Sequence, residues 1–169
     1  GKNTLHGGPE NLAHILWDVS KTFCNDHEVG IVFKKHLWDG QNGFPGERNI
    51  SVRYSLSCEN ILTIQYTATT DKVTWLNLTN HTYWNLTGNF SKPAHRQILQ
   101  INANQVYYND DSHLPIYLKE VKNSPFDFTS PRSVANALRS NPTHKQLRNA
   151  LGYNNIYVLQ NNLKPAVIL

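Results

Sequence analysis

Two consecutive runs of strict alternation constrain this chain more than any other feature. Residues 50–56 set Ile50, Val52, Tyr54 and Leu56 against Ser51, Arg53 and Ser55. Residues 61–69 set Leu62, Ile64, Tyr66 and Ala68 against Ile61, Thr63, Gln65, Thr67 and Thr69. A period of two is the side-chain period of a strand, and a helix would scatter such residues around its circumference. Between the runs stands Ser57-Cys58-Glu59-Asn60, polar and of hairpin size. The pair therefore reads as two antiparallel strands with one buried face.

The rest of the chain follows the same grammar. Residues 29–33, 73–78, 95–101 and 155–159 read as further strands, rich in β-branched and aromatic side chains. The densest turn cluster, Asp39-Gly40-Gln41-Asn42-Gly43-Phe44-Pro45-Gly46, should connect two strands, and residues 109–112 read as a loop. Helix signals are few. Residues 130–138 form one candidate, with Ser130 as cap and Pro131 in the first position, and residues 144–151 form another, stopped by Gly152. Many short strands and little helix predict an all-β fold, a β-sandwich or a pair of large antiparallel sheets. With 169 residues, one domain with a sizeable core is expected.

Composition narrows the function classes. No apolar run reaches the 18 residues of a transmembrane helix, and 11% aromatic residues argue against disorder. The net charge of +4 comes from scattered Lys and Arg. The one basic cluster, Lys34-Lys35-His36, reads as a solvated strand end and not as a nucleic-acid surface. Cys24 and Cys58 form no CxxC and read as free core thiols, and the eight histidines contain no HExxH, so no metal site is expected. Unpaired cysteines fit the cytoplasm. The chain lacks Met, begins at Gly1 and stops on an apolar run at Leu169, and so reads as processed or truncated. Five N-x-[ST] sequons occur, at Asn49, Asn77, Asn80, Asn85 and Asn89. The apolar density of residues 77–86 places much of that stretch inside, which argues against glycosylation there.

That stretch is also where chemistry concentrates. Asn77-Leu78-Thr79-Asn80-His81-Thr82-Tyr83-Trp84-Asn85-Leu86 crowds amides, hydroxyls, an imidazole and aromatic rings together. Unsatisfied burial of those polar groups would be costly, so the economical reading is a concave polar site with aromatic walls. Sugars suit such a site, because ring faces stack on aromatics while hydroxyls pair with amides and imidazoles. His81 is the natural proton-transfer group near neutral pH. His6 precedes Gly7-Gly8, a pair that permits close backbone approach to a ligand.

Taken together, these segments resemble the aldose 1-epimerase, or galactose mutarotase, family. The resemblance rests on Asn3-Thr4-Leu5-His6-Gly7-Gly8, on the Asp39–Gly46 cluster and on the Asn77 stretch extended through Thr87-Gly88. Ser124-Pro125-Phe126-Asp127-Phe128 and Gly152-Tyr153-Asn154-Asn155-Ile156-Tyr157-Val158-Leu159 agree as well, in the family's order. The resemblance implies a large antiparallel β-sandwich, incomplete in this chain, with residues 1–169 forming a single partial domain. It implies interconversion of the α and β anomers of aldohexoses such as galactose and glucose, with no metal and no organic cofactor. His81 matches the general acid, and His6 the second site histidine, which hydrogen-bonds the sugar. Thr82 and Tyr83 fall in the segment lining the sugar, and Asn154 stands where the family usually has a sugar-binding aspartate. Asp127 reads as structural. The family's basic glutamate lies towards its C-terminus, and none of Glu10, Glu28, Glu47, Glu59 or Glu120 matches that motif; the family's arginine lies upstream of the His-Gly-Gly segment. The expected partner is a small aldohexose, with no nucleic acid and no membrane. The alternative is a catalytically inactive sugar-binding homologue or fragment lacking the base.

Overall fold

The structure is a computed structural model that describes residues 6–160 and 165–168; Asn3, Thr4 and Leu5 of the first matching segment lie outside the described residues. The chain clusters into two compact units, Gly1–His81 and Thr82–Leu169.

The first unit is built on one antiparallel sheet, in the order β1 (Asp18–Cys24), β2 (Glu28–Leu37), β3 (Arg48–Ser57) and β4 (Leu62–Thr70). The two alternating runs are β3 and β4, in register from Arg48 opposite Thr70 to Leu56 opposite Leu62. Alternation decides the inner face. Ile50 and Val52 are buried with Leu37, and Tyr54, Ile64, Tyr66 and Ala68 pack around them. Leu12, Ile15, Trp17 and Leu78 cover this face from outside the sheet. Burying one such aliphatic side chain contributes roughly 1.5–3 kcal/mol.

The Asp39–Gly46 cluster does connect β2 to β3, through a short 3-10 turn at Gln41–Gly43. Arg48 holds it from below: its side chain is buried, and its Nη2 donates to the carbonyls of Trp38 at 3.0 Å and Gln41 at 3.3 Å. Lys34-Lys35-His36 lies near the end of β2, with Lys34 exposed and Lys35 3.9 Å from Asp18.

The second unit holds two antiparallel three-stranded sheets. Its elements are β5 (Ile98–Ile101), β6 (Ala103–Asn109), β7 (Pro115–Glu120), β8 (Arg132–Ser133), α1 (Val134–Arg139), α2 (Lys145–Asn149), β9 (Tyr157–Leu159) and β10 (Val167–Ile168). The sheet orders are β10-β5-β8 and β7-β6-β9. One core cluster joins Ile101, Ala103, Phe128 and Ala137; a second joins Val106, Val121, Phe126 and Leu147, and Tyr153 and Tyr157 pack against both. The all-β, antiparallel class expected from alternation is the class observed.

Several details differ from the sequence reading. Residues 73–78 form no strand, and of the expected strand 95–101 only Ile98–Ile101 is one, His95 and Arg96 forming a 3-10 turn. The β-forming side chains of 73–78 meet no ladder among the described residues, because the chain bends at Asp71-Lys72 after β4. The helix expected over 130–138 begins at Val134, capped by Ser133 and not Ser130, because Arg132 and Ser133 pair with Leu99 and Ile98 first. Helix α2 covers only Lys145–Asn149 of the expected 144–151; Leu151 beyond it stands at φ 54°, and the Gly152 N–H closes back to the Leu147 carbonyl at 2.9 Å. Cys24 and Cys58 are free but exposed, not core thiols, because they sit where β1 and β3 end and the ladder stops.

Candidate functional site

His6 and His81 come together in the first unit. Their ring centroids are 6.0 Å apart and the planes cross at 70°, an edge-to-face arrangement. Two unrelated pieces of local structure produce this meeting.

His6 stands in a tight turn at φ 55°, followed by Gly7 at φ 82° and Gly8 at φ 105°. Gly8 must be glycine for two reasons. Its φ is one that side chains rarely adopt, and a Cβ there would lie 2.7 Å from Cγ of Asn42. The Asn42 side chain locks this turn to the Asp39–Gly46 loop. Its Nδ2 donates to the Glu10 carbonyl at 3.0 Å, and its Oδ1 accepts from the Glu10 N–H at 3.4 Å. Two of the segments singled out in the sequence thus meet through one amide.

His81 stands at the end of the stretch that follows β4, which forms no helix or strand. Leu78 packs onto the core of the sheet, and the Asn80 Nδ2 donates to the Tyr54 hydroxyl at 3.4 Å. The base of the Asp39–Gly46 loop reaches the start of the same stretch. Asp39 accepts from the Gly46 N–H at 2.6 Å and pairs with Lys72, while Asp71 accepts from the Glu47 N–H at 2.7 Å. The Lys72 ammonium holds the Asp39 carboxyl below its ordinary value, helped by the Gly46 N–H.

The stretch does not face inward. Among residues 77–86 only Leu78 and Asn85 are half-buried, and the others are exposed, with Tyr83 at 87%. The expectation of a largely interior segment is corrected here: Leu78 and Asn80 rest on the sheet, and most of the stretch is exposed because no ladder among the described residues assigns it an inner face. Burial therefore gives no argument against modification at the sequons, since Asn49, Asn77, Asn80 and Asn89 are exposed and Asn85 is half-buried.

Thr82, Tyr83 and Asn154 belong to the second unit. Asn154 is exposed on a loop held by an amide network. Asn109 and Gln146 exchange two bonds of 2.8 Å, the Asn109 Nδ2 donates to the Asn154 carbonyl at 2.7 Å, and the Asn155 Nδ2 donates to the Tyr107 carbonyl at 2.9 Å. The neighbouring tyrosines tie this segment to Ser124–Phe128. Tyr153 donates to the Pro125 carbonyl at 2.9 Å and Tyr157 to that of Phe126 at 3.2 Å. Burial pushes the Tyr153 phenol up to about 12 and raises Tyr157 further, so both remain protonated donors. Asp127 accepts from the Thr129 N–H at 3.2 Å and hydroxyl at 2.6 Å, a local turn contact. A polar cleft of about 490 Å³ opens beside Ser124, Asp127, Thr129 and Arg132, and none of the residues expected to bind sugar lines it.

The sequence model of the family described as aldose 1-epimerase matches residues 1–169. This chain belongs to the aldose 1-epimerase family. It is 34% identical over 161 residues to the aldose 1-epimerase of Escherichia coli (strain K12), covering 95% of this chain and 44% of that relative. It is 31% identical over 140 residues to the galactose mutarotase of Sus scrofa, covering 82% of this chain and 39% of that relative. The solved galactose 1-epimerase of Lactobacillus acidophilus NCFM superposes with a TM-score of 0.88 at 30% identity, over 99% of this chain and 48% of that one. The chain thus spans about half the length of the aldose 1-epimerases it matches. Among the described residues, no group of three His, Cys, Asp or Glu side chains is placed to hold a metal ion, and no helix is long and apolar enough to cross a membrane.

Sequence reading found both histidines and missed what positions them. Tyr54 was legible only as a member of the alternating run 50–56, and Arg48 lay outside that run. Asn42 stood inside a matching segment, but its contact with Glu10 spans 32 positions, a distance that no local pattern reports.

Proposed function

We propose that this protein acts as an aldose 1-epimerase, interconverting the α and β anomers of an aldohexose such as galactose or glucose in the cytoplasm. The observation that carries the reading is the edge-to-face pairing of His6 and His81 on two segments of the family sequence. In the reaction the family resemblance implies, a base takes the proton of the anomeric hydroxyl, a role the family gives to a glutamate that none of Glu10, Glu28, Glu47, Glu59 or Glu120 matches, while an acid protonates the ring oxygen. The C1–O5 bond then breaks to give the open aldehyde. Rotation about C1–C2 presents the other carbonyl face, and closure returns both protons.

His81 supplies the proton to the ring oxygen and takes it back on closure. His6 hydrogen-bonds the sugar and holds charge near that oxygen. Thr82 and Tyr83 line the sugar, with Tyr83 offering a ring face. Asn154 pairs with a sugar hydroxyl through an amide that both donates and accepts, without the charge-assisted bond of an aspartate. On the family resemblance the reaction needs no metal and no organic cofactor, and the partner it takes is a small aldohexose.

The test is the rate at which freshly dissolved α-galactose reaches anomeric equilibrium, followed by polarimetry or NMR, with this chain and with His81→Ala. Acceleration by the chain that falls about 10²–10⁴-fold in the variant supports His81 as the acid. A folded chain that binds galactose and leaves the buffer rate unchanged would show a binding homologue in place of an enzyme.

A further inference from the structure

We propose that Tyr54 is a positioning residue for His81. Its hydroxyl holds the Asn80 side chain and thereby sets the approach of the His81 ring to His6. The proposal rests on the mutarotase reading of the histidine pair and adds the element that orients it.

After β4 the stretch that carries His81 has no strand partner among the described residues, so side-chain anchors help set its course. Two anchors alternate on the sheet side: Leu78 packs against the cluster of Leu37, Ile50 and Val52, and Asn80 reaches the Tyr54 hydroxyl at 3.4 Å. Both land on the same face of the same sheet.

Tyr54 is suited to bear that load. It sits within β3, paired with Ile31 on one side and Ile64 on the other. Its ring is packed on the core cluster and stands edge-to-face to Phe33, with centroids 6.2 Å apart and planes at 82°. The phenol is therefore rigid, while Asn80 is exposed and depends on its partners for a fixed rotamer. One peptide bond separates Asn80 from His81, whose ring faces His6 at 6.0 Å. A change at the Asn80 amide is transmitted directly into the angle of the His81 side chain.

Tyr54→Phe deletes one oxygen and keeps the ring on Phe33. In the full chain with isotope-labelled histidine, the variant is expected to keep its circular dichroism while the ring nitrogen resonances of His81 and His6 shift. Asn80→Ala is expected to move the same resonances, and adding Tyr54→Phe to Asn80→Ala to produce no further shift, since the Tyr54 hydroxyl has then already lost Asn80. Anomerisation, where the wild-type chain accelerates it, should lose about tenfold in kcat with KM little changed. Unchanged histidine resonances in Tyr54→Phe, or additive shifts in the double variant, would overturn the positioning role. A wild-type chain that does not accelerate anomerisation would end the mutarotase reading, while the histidine spectra would still decide the role of Tyr54.

Discussion

Residues 48–70 and residues 71–90 draw on a similar stock of aromatic and β-branched side chains, and the structure treats them in opposite ways. In the first, the alternate side chains in the middle of β3 are committed to the inner face: Ile50 is 2% exposed and Val52 6%. In the second, Val73 and Phe90 are each 98% exposed and Trp75 86%. The difference lies in the backbone. Residues 48–57 pair with β2 on one side and β4 on the other, so their N–H and C=O groups are satisfied in the ladder and their pleat is fixed. Residues 73–85 have no strand partner among the described residues, so no pleat assigns their side chains to a face. Apolar composition makes a segment able to be buried; a ladder decides which half of it is.

The contrast is strongest at Ile50. Ile50→Ala should destabilise the chain by about 2–5 kcal/mol in urea or thermal unfolding, because the site is enclosed by Leu37, Val52 and Ala68. A loss below about 1 kcal/mol would show that the sheet's inner face is not a closed core.

The joint between the two regions is sharpened by pH. Lys72 and the Gly46 N–H hold the folded Asp39 carboxyl below its ordinary 3.8. The unfolded chain therefore binds a proton first as the solution is acidified. The contribution of Asp39 is complete above that value and is lost as pH falls below it towards the folded value. Asp39→Asn keeps an oxygen for Gly46 and loses the charge, so the difference between wild type and variant should be present at pH 6 and vanish near pH 2. A difference that survives at pH 2 would assign the effect to the loop's shape, not to its charge.

The smallest effect is expected in the unpaired region. Val73→Ser and Phe90→Ser should each change stability by no more than about 0.5 kcal/mol, as exposed substitutions do. A loss of several times that from either one would show that the exposed segment is covered in solution, and the comparison would fail.

Much of this was legible in advance. Alternation over residues 50–56 and 61–69 named two adjoining strands and their two faces, because a two-residue period sends successive side chains to opposite sides; the register between them came only with the structure. The turn chemistry of Asp39–Gly46 named a strand connection, and the residues around His6 and His81 named the chemistry. β1 escaped because an edge strand with nearly all of its side chains exposed carries little hydrophobic pattern. Residues 73–78 were misread because propensity records what a side chain favours and not whether a partner strand is there.

The sequence by itself determined the class of fold, the faces of β3 and β4, and the two histidines, since these follow from local periodicity and residue chemistry. Tertiary structure alone decided that Asn42 would fasten the His6 turn, that Tyr54 would stand under Asn80, and that the histidine rings would meet at 6.0 Å. These are contacts between residues 26 to 75 positions apart, read from the numbering of each pair. Their geometry is set by the packing of a whole sheet face, which no single window of sequence contains.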